Sequence, residues 1–219
     1  MAQTKKAEIR EAILSSAYRL FIDKSYSNTT LAEIASGANV TMSNIYNYFG
    51  SKIEVLFAIY EPWLDERLDR LAAEVRELDE PRARLKRIFT ALLRDIPTGN
   101  NGFSNNVLQA ISTRNADESY SRDLLLRSEA KVSAIIRAAI PDSRRWIVDD
   151  DLISHLLFMA FDGFAVNYKL NGPSRRVDAI VDMLCDLVIG EERRDDPAMP
   201  TRPGLSGEEP GEEKNRPVR

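Results

Sequence analysis

The chain reads as an all-α protein, and three observations carry that reading. Apolar residues recur at three- and four-residue spacing along most of its length. Two segments open with a Thr or Ser followed three residues later by Glu, the signature of a capped helix start. No segment alternates apolar and polar residues in the manner of a half-buried strand. With 219 residues and 43% apolar content, the chain can bury a sizeable core as one compact body or two small domains.

Taken in order, residues 5–23 place Ile9, Ile13, Leu14, Ala17, Leu20 and Phe21 on one stripe, which predicts an amphipathic helix. Thr30 and Glu33 then form a capping box, and Leu31, Ile34 and Ala35 give the next helix a buried face. That helix stalls at Gly37-Ala38-Asn39, where Asn39 is a residue type that tolerates the left-handed conformation of a tight turn. Val40 can plug the angle between the helices. Thr41 caps a further short helix over about residues 42–48, which turns Ile45 and Phe49 inward. Ser51 and Glu54 form the second capping box and start a third helix. Two short helices joined by a tight turn are a helix-turn-helix, with 42–48 as the element that enters a DNA groove.

The outward face of 42–48 suits that task. At about 100° per residue Ser43 and Asn47 point furthest from Ile45 and Phe49, flanked by Asn44 and Tyr46, with Met42 at the N-terminal tip. Asn can pair with adenine through two hydrogen bonds, Ser with several base edges, and Met can touch a thymine methyl. Tyr46 and Tyr48 offer hydroxyls to phosphate oxygens, and Lys52 stands at the positive end of the third helix. The formal charge of −4 is divided unevenly, with +2 on residues 1–52 and −6 on the rest. The sign at the N-terminal end is right for DNA, but the amount is small, so binding would rest on pairing two copies. Lys5 and Lys6 either reach a neighbouring groove or solvate the terminus.

Further along, residues 52–77 continue as a long helix or a pair broken near Pro62. Leu85, Ile88, Phe89 and Leu92 give a helix over 82–95, and PTGNNG at 97–102 reads as a turn cluster. Helices are expected over 103–112 and 117–139. The acidic run Asp149-Asp150-Asp151 starts another over 150–169 that is apolar on nearly all sides, and 174–189 carries a single apolar stripe. One copy cannot easily cover both of these last helices, so a twofold dimer built as a four-helix bundle is expected, with Phe161, Val166, Ile180, Leu184, Leu187 and Val188 as interface candidates. Residues 191–219, rich in Pro, Gly and charge, are expected to be a disordered tail.

The segments IREAILSSAYRLF and SYSNTTLAEIASGANVTMSNIYNYFGSK resemble the N-terminal domain of the TetR family of bacterial transcriptional regulators. The resemblance runs through Ile13-Leu14, Leu20-Phe21, Tyr26, Thr29-Thr30, Ile34-Ala35, Val40, Ile45-Tyr46, Tyr48-Phe49 and Ser51-Lys52, about the first quarter of the chain. It implies that Thr41, Met42, Ser43 and Asn47 approach bases while Thr29, Thr30, Tyr46, Tyr48 and Lys52 hold the DNA backbone. Ser25, Asn39 and Ser43 depart from it, each standing where the family commonly has Gly, and Ser43 adds a side chain at the groove. The resemblance also implies dimerisation through the last two long helices. It divides the chain into a three-helix DNA-binding domain with the helix-turn-helix (1–52), a helical effector-binding and dimerisation bundle (53–190) and the tail (191–219).

The function expected is therefore a cytoplasmic, dimeric repressor released from a palindromic double-stranded DNA operator by a small-molecule effector. Phe57, Tyr60, Trp63, Phe89, Phe103, Phe161 and Phe164 are candidates to line the effector cavity, although aromatic residues at helical spacing are more often plain core. Two rivals stand beside this reading: a DNA-bound structural or recruiting protein of the same fold, and an enzyme using the helical cavity. The enzyme finds little in the residues, with no nucleotide-binding Gly-rich loop, nucleophile elbow or His-Glu-x-x-His pattern. One His and one Cys leave no basis for a metal cluster within a protomer, and no cofactor is expected. His155 is either a polar handle in a cavity or a hydrogen-bonded core or interface residue. Cys185 is either an oxidant sensor or a packing thiol. No apolar run reaches the ~18–20 residues of a membrane span, since His155 and Asp162 interrupt the nearest candidate. The N-terminus, with Lys5, Lys6, Glu8 and Arg10, does not read as a signal peptide.

Overall fold

The computed structural model describes residues 2–113 and 123–190, and all secondary structure among them is helical. Three helices make the N-terminal unit: α1 (Ala2–Lys24), α2 (Leu31–Gly37) and α3 (Met42–Tyr48). A long α4 (Lys52–Arg76) leads into α5 (Pro81–Thr90), α6 (Ile96–Gly102), α7 (Ser104–Ser112), α8 (Asp123–Ala139), α9 (Leu152–Asn171) and α10 (Val177–Ile189). The expected start of α8 near residue 117 and the expected tail over 191–219 lie outside the described residues.

Local chemistry sets the N-terminal boundaries. Both halves of the Thr30–Glu33 capping box are made, Thr41 caps α3 by accepting the Asn44 N–H, and Ser51 caps α4 by accepting the Glu54 N–H. Each such cap stabilises a helix start by about 1 kcal/mol. Asn39 turns the chain between α2 and α3 at φ 54°, the left-handed conformation expected of it, and Ser25 does the same after α1 at φ 72°. Gly37 allows α2 to lie close on α1, because a Cβ there would collide with the Ser16 hydroxyl. That hydroxyl is buried and donates to the Ile34 carbonyl at 3.0 Å. Ile13, Ala17, Phe21, Ile34, Ile45, Phe49 and Ile53 close the core of the unit.

Two elements differ from the sequence expectation. Pro62 does not divide α4, which runs unbroken through it. The ring is on the exposed side of the helix, and buried Leu56, Tyr60, Leu64, Leu68 and Leu71 hold both flanks against the core, offsetting the one backbone hydrogen bond that Pro62 cannot make. The PTGNNG cluster is not a turn but most of α6. It is reached through a π-helical turn, Ala91–Asp95, closed by the Ile96 N–H on the Ala91 carbonyl. Pro97 then falls in the first turn of α6, where its missing N–H is no loss, and Thr98 donates back to the Arg94 carbonyl at 2.7 Å. A 3-10 helix over Asp142–Val148 was not expected from the sequence.

The C-terminal elements pack around α4, α5, α8 and the inner side of α9. Ion pairs Lys86–Asp182 (2.8 Å) and Arg94–Asp178 (3.2 Å), with Arg82–Asp186, line the seam where α10 lies along α5. Arg144 closes the C-terminal end of α10 by donating to the Leu187 and Val188 carbonyls. No described helix is long and apolar enough to cross a membrane.

Candidate functional site

The turn between α1 and α2 is the pivot of the N-terminal unit. Thr29 is buried, and its hydroxyl donates to the Ser25 carbonyl at 2.8 Å. This corrects its expected role as a DNA-backbone contact: the side chain closes the turn and is turned away from solvent. Lys52 reaches back from α4 to donate to the Tyr26 and Thr29 carbonyls at 2.8 and 2.7 Å, with its ammonium 4.1 Å from the centre of the Tyr26 ring. Its first task is therefore to clasp α4 to the turn. On the opposite side, Asn106 of α7 accepts the Tyr26 N–H at 2.6 Å, and Gln109 accepts both the N–H and the hydroxyl of Ser27 at 3.2 and 3.1 Å.

Mounted on this base, α3 shows solvent the side chains predicted for it. Thr41, Ser43, Tyr46 and Asn47 are exposed, Tyr46 to 58%, while Met42, Asn44 and Tyr48 are half-buried and Ile45 and Phe49 face the core. The Thr41 hydroxyl donates to Asn44 Oδ1 at 2.6 Å, which leaves the Asn44 amide NH2 directed elsewhere. Thr30 is exposed but bonded to Glu33, whose carboxylate is drawn down to about 2 by the Lys24 ammonium and by the Thr30 N–H and hydroxyl. Arg10 stands 5.5 Å over the Phe49 ring beside this face.

The seven aromatic candidates for a cavity do not converge. Phe89 and Phe103 are fully enclosed core residues, with Phe103 packed among Tyr18, Tyr60 and Trp63. Trp63 lines a separate pocket of about 190 Å3 with Arg67 and Arg87, and Phe164 another of about 290 Å3 beside Tyr168 and Pro173. Phe57, Tyr60 and Phe161 do share one cavity, of about 180 Å3, walled by α4, α7, α8 and α9. Its apolar lining includes Leu64, Val107, Ile111, Leu125 and Phe158, and its polar groups are Tyr60, Ser128 and Asp162. Burial raises the Asp162 carboxyl to about 6 and pushes the Tyr60 phenol well above its usual range, to which the Asp162 charge adds. In the sequence Asp162 stands out only as an interruption of an apolar helix, and an acid on such a helix is the signal that was available.

Other candidates resolve by burial. Phe161 and Val188 are enclosed by the protomer's own core and so cannot form an interface; this corrects their expected role. Val166 and Leu187 are exposed, and Ile180 and Leu184 half-buried. Leu152, Leu156, Met159, Leu170 and Met183 are exposed as well, though not among the predicted residues. The Cys185 thiol is buried and raised to about 11, which makes it a packing group. His155 lies outside the cavity, its Nδ1 2.7 Å from the buried carboxylate of Glu129. Among the described residues no group of His, Cys, Asp and Glu could hold a metal ion.

Comparison with known proteins agrees with this arrangement. The family model described as bacterial regulatory proteins, tetR family, matches residues 13–59, from within α1 through the start of α4. The HTH-type transcriptional regulator HbdR of Aromatoleum sp. strain CIB is 36% identical over 78 residues, which are 36% of this chain and 34% of that protein. The chain spans between 29% and 66% of the length of the curated relatives it matches. Among solved structures, a TetR transcriptional regulator from Rhodococcus sp. RHA1 superposes with a TM-score of 0.58 at 18% identity, over 85% of this chain and 98% of that one. The transcriptional regulator FadR of Bacillus subtilis, in complex with stearoyl-CoA, superposes with a TM-score of 0.55 at 15% identity, over 82% and 97%. The fold is shared across the length of these structures, and the helix-turn-helix of this chain carries the family sequence. Residues 13–59 are therefore similar to the N-terminal domain of bacterial regulatory proteins of the tetR family, and the helical body behind them shares the fold of the TetR regulator from Rhodococcus.

Proposed function

We propose that this regulator is a homodimeric repressor that holds a palindromic double-stranded DNA operator with two copies of α3 and leaves it when a small molecule enters the helical body. The single observation that carries the DNA reading is the exposure of Ser43, Tyr46 and Asn47 together on a helix whose other side is locked into the core by Ile45 and Phe49. Residues 1–52 are the DNA-binding domain in this account. Ser43, Asn47, Thr41 and Met42 meet base edges, with Asn44 beside them, and Tyr46, Tyr48, Thr30 and Lys52 meet phosphates.

Residues 53–190 form the effector and dimerisation body. An unbroken apolar stripe on α9, Leu152, Leu156, Met159, Val166 and Leu170, supports the dimer, and Met183 and Leu187 continue it on α10. Gly163 lies on the same stripe with open space where a side chain would be, which lets a partner helix approach closely. The cavity shared by α4, α7, α8 and α9 supports the effector reading, because two of its walls reach the DNA-binding domain: α4 through Lys52 and α7 through Asn106 and Gln109. FadR of Bacillus subtilis, in complex with stearoyl-CoA, is a precedent for a small molecule bound by a protein of this fold. A hundredfold loss of operator affinity needs about 2.7 kcal/mol of coupling, an ordinary amount for two linked sites.

The test is a titration of operator DNA, obtained by mapping the genomic fragments the protein retains, with the wild type and the Tyr46→Phe, Asn47→Ala double variant. Loss of one base pair contact and one phosphate contact per half-site predicts at least about tenfold weaker binding with unchanged dimers. Unchanged binding would mean that α3 is not the reading element.

A further inference from the structure

The effector cavity contains one group that its apolar walls do not explain. Asp162 is the charged side chain among the described residues that line it, and it projects from α9 between Phe161 and the exposed stripe. No described residue offsets its charge: the carboxyl is moved by burial alone, with neither a hydrogen bond nor a cation opposing the shift. Elsewhere in this molecule carboxylates on helix seams are paired, as Asp178, Asp182 and Asp186 are with arginine and lysine. An unpaired carboxylate in a largely apolar wall disfavours the folded protein, and it persists where a ligand supplies the missing charge.

The rest of the lining says what kind of charge that is. Phe57, Tyr60, Phe158 and Phe161 present rings around the same space, Phe158 and Phe161 with centroids 6.0 Å apart at 45°. Ring faces attract cations and repel anions, so aromatic walls and a carboxylate favour the same sign of ligand. The volume of about 180 Å3 is close to that of an apolar cavity of roughly 150 Å3 that accepts benzene, so there is room for a ligand body of about one ring or a compact alkyl group in this partly open pocket. A carboxylic acid would bring its own charge against Asp162.

We infer that the cavity between α4, α7, α8 and α9 takes a small organic cation, an aromatic or compact aliphatic amine or quaternary ammonium, with its nitrogen at Asp162 and its apolar body among Phe57, Tyr60, Phe158 and Phe161. This deepens the effector reading above and rests on it only for the consequence at the operator. Met159 belongs both to the cavity wall and to the exposed stripe of α9, so the occupied cavity touches the proposed dimer face as well as α4 and α7.

The experiment is calorimetric titration of the full-length protein with three probes of nearly equal size and different charge: phenethylamine, phenethyl alcohol and phenylacetate. The amine is expected to bind at least about tenfold more tightly than the alcohol, and phenylacetate more weakly than either. In Asp162→Asn, a variant of the same shape, amine and alcohol are expected to bind within about threefold of each other. Equal or tighter binding of the alcohol or of phenylacetate by the wild type overturns the cation site, as does an amine preference that survives in Asp162→Asn or the failure of all three probes to bind. Operator affinity measured with and without phenethylamine keeps the two readings apart. Discriminating binding with no change at the operator leaves the cation site standing and removes the effector role.

Discussion

At Asp162 the chain keeps an ionisable group where packing alone would select Asn or Leu. Its folded value of about 6 lies above the unperturbed 3.8. The folded state therefore binds this proton more tightly than the unfolded chain does. The penalty is absent below 3.8, where both states are protonated, grows between 3.8 and 6, and is fully present above 6. A two-unit shift corresponds to about 3 kcal/mol, which solvent reduces because the group is partly exposed. Asp162→Asn is expected to raise unfolding stability by roughly 1–2 kcal/mol at neutral pH, with the gain fading as the pH falls towards 4. Urea unfolding at several pH values checks this; a gain independent of pH would assign it to packing. Ser25 is a second residue held against local preference, at φ 72° in a region that favours glycine. Its carbonyl accepts Thr29 and its hydroxyl accepts Asn28, and these bonds hold the strained turn in place.

Among the elements, α7 is the one whose sequence says least and whose position says most. Its consecutive Asn105 and Asn106 are buried and face different bodies: Asn105 donates to the Ala165 carbonyl of α9 at 3.0 Å, and Asn106 accepts from Tyr26 in the DNA-binding unit. Asn106→Ala strands a buried N–H and is expected to cost about 1–3 kcal/mol of stability and to weaken operator binding, whereas Gln109→Ala, at an exposed bond, should cost under about 1 kcal/mol. Urea unfolding together with operator titration of the two variants measures the difference. Equal effects would show that the clamp does not act through the buried bond.

The same contrast explains what was legible in the sequence. Short helices with caps are local objects, so α2, α3 and the start of α4 could be placed from Thr30, Thr41, Ser51 and Asn39 alone. The partners of Asn106 and Thr29 could not, because hydrogen bonds over 80 residues, or into a turn of unusual backbone, leave no periodicity. Pro97 misled for a related reason: it marks a turn unless a preceding wide helical turn brings it into a helix start. On α9, apolar residues on nearly every side carry no phase, so Phe161 stood among both the cavity and the interface candidates although it faces inward, and exposed Leu152, Leu156 and Leu170 were missed.

For the whole molecule, a net charge of −4 makes a single copy a poor ligand for DNA. In the proposed dimer, two linked reading helices compensate by acting at a fixed separation. Glutamate at Leu156 and at Leu187 on the exposed stripe is expected to produce monomers with an intact fold, because these side chains have no role inside the protomer. Sedimentation velocity with circular dichroism checks both halves of that expectation. A double variant that remained dimeric would move the interface elsewhere.

The central claim is that two copies of the segment Met42–Tyr48 enter successive grooves on one side of a duplex. Hydroxyl-radical footprinting of the mapped operator tests it most directly. The account predicts two protected patches, symmetric about the palindrome and about 34–36 Å apart or at another single fixed spacing on one face, both lost in the Leu156→Glu, Leu187→Glu variant. A single patch, continuous protection on all sides, or an unchanged footprint from that monomer would contradict it.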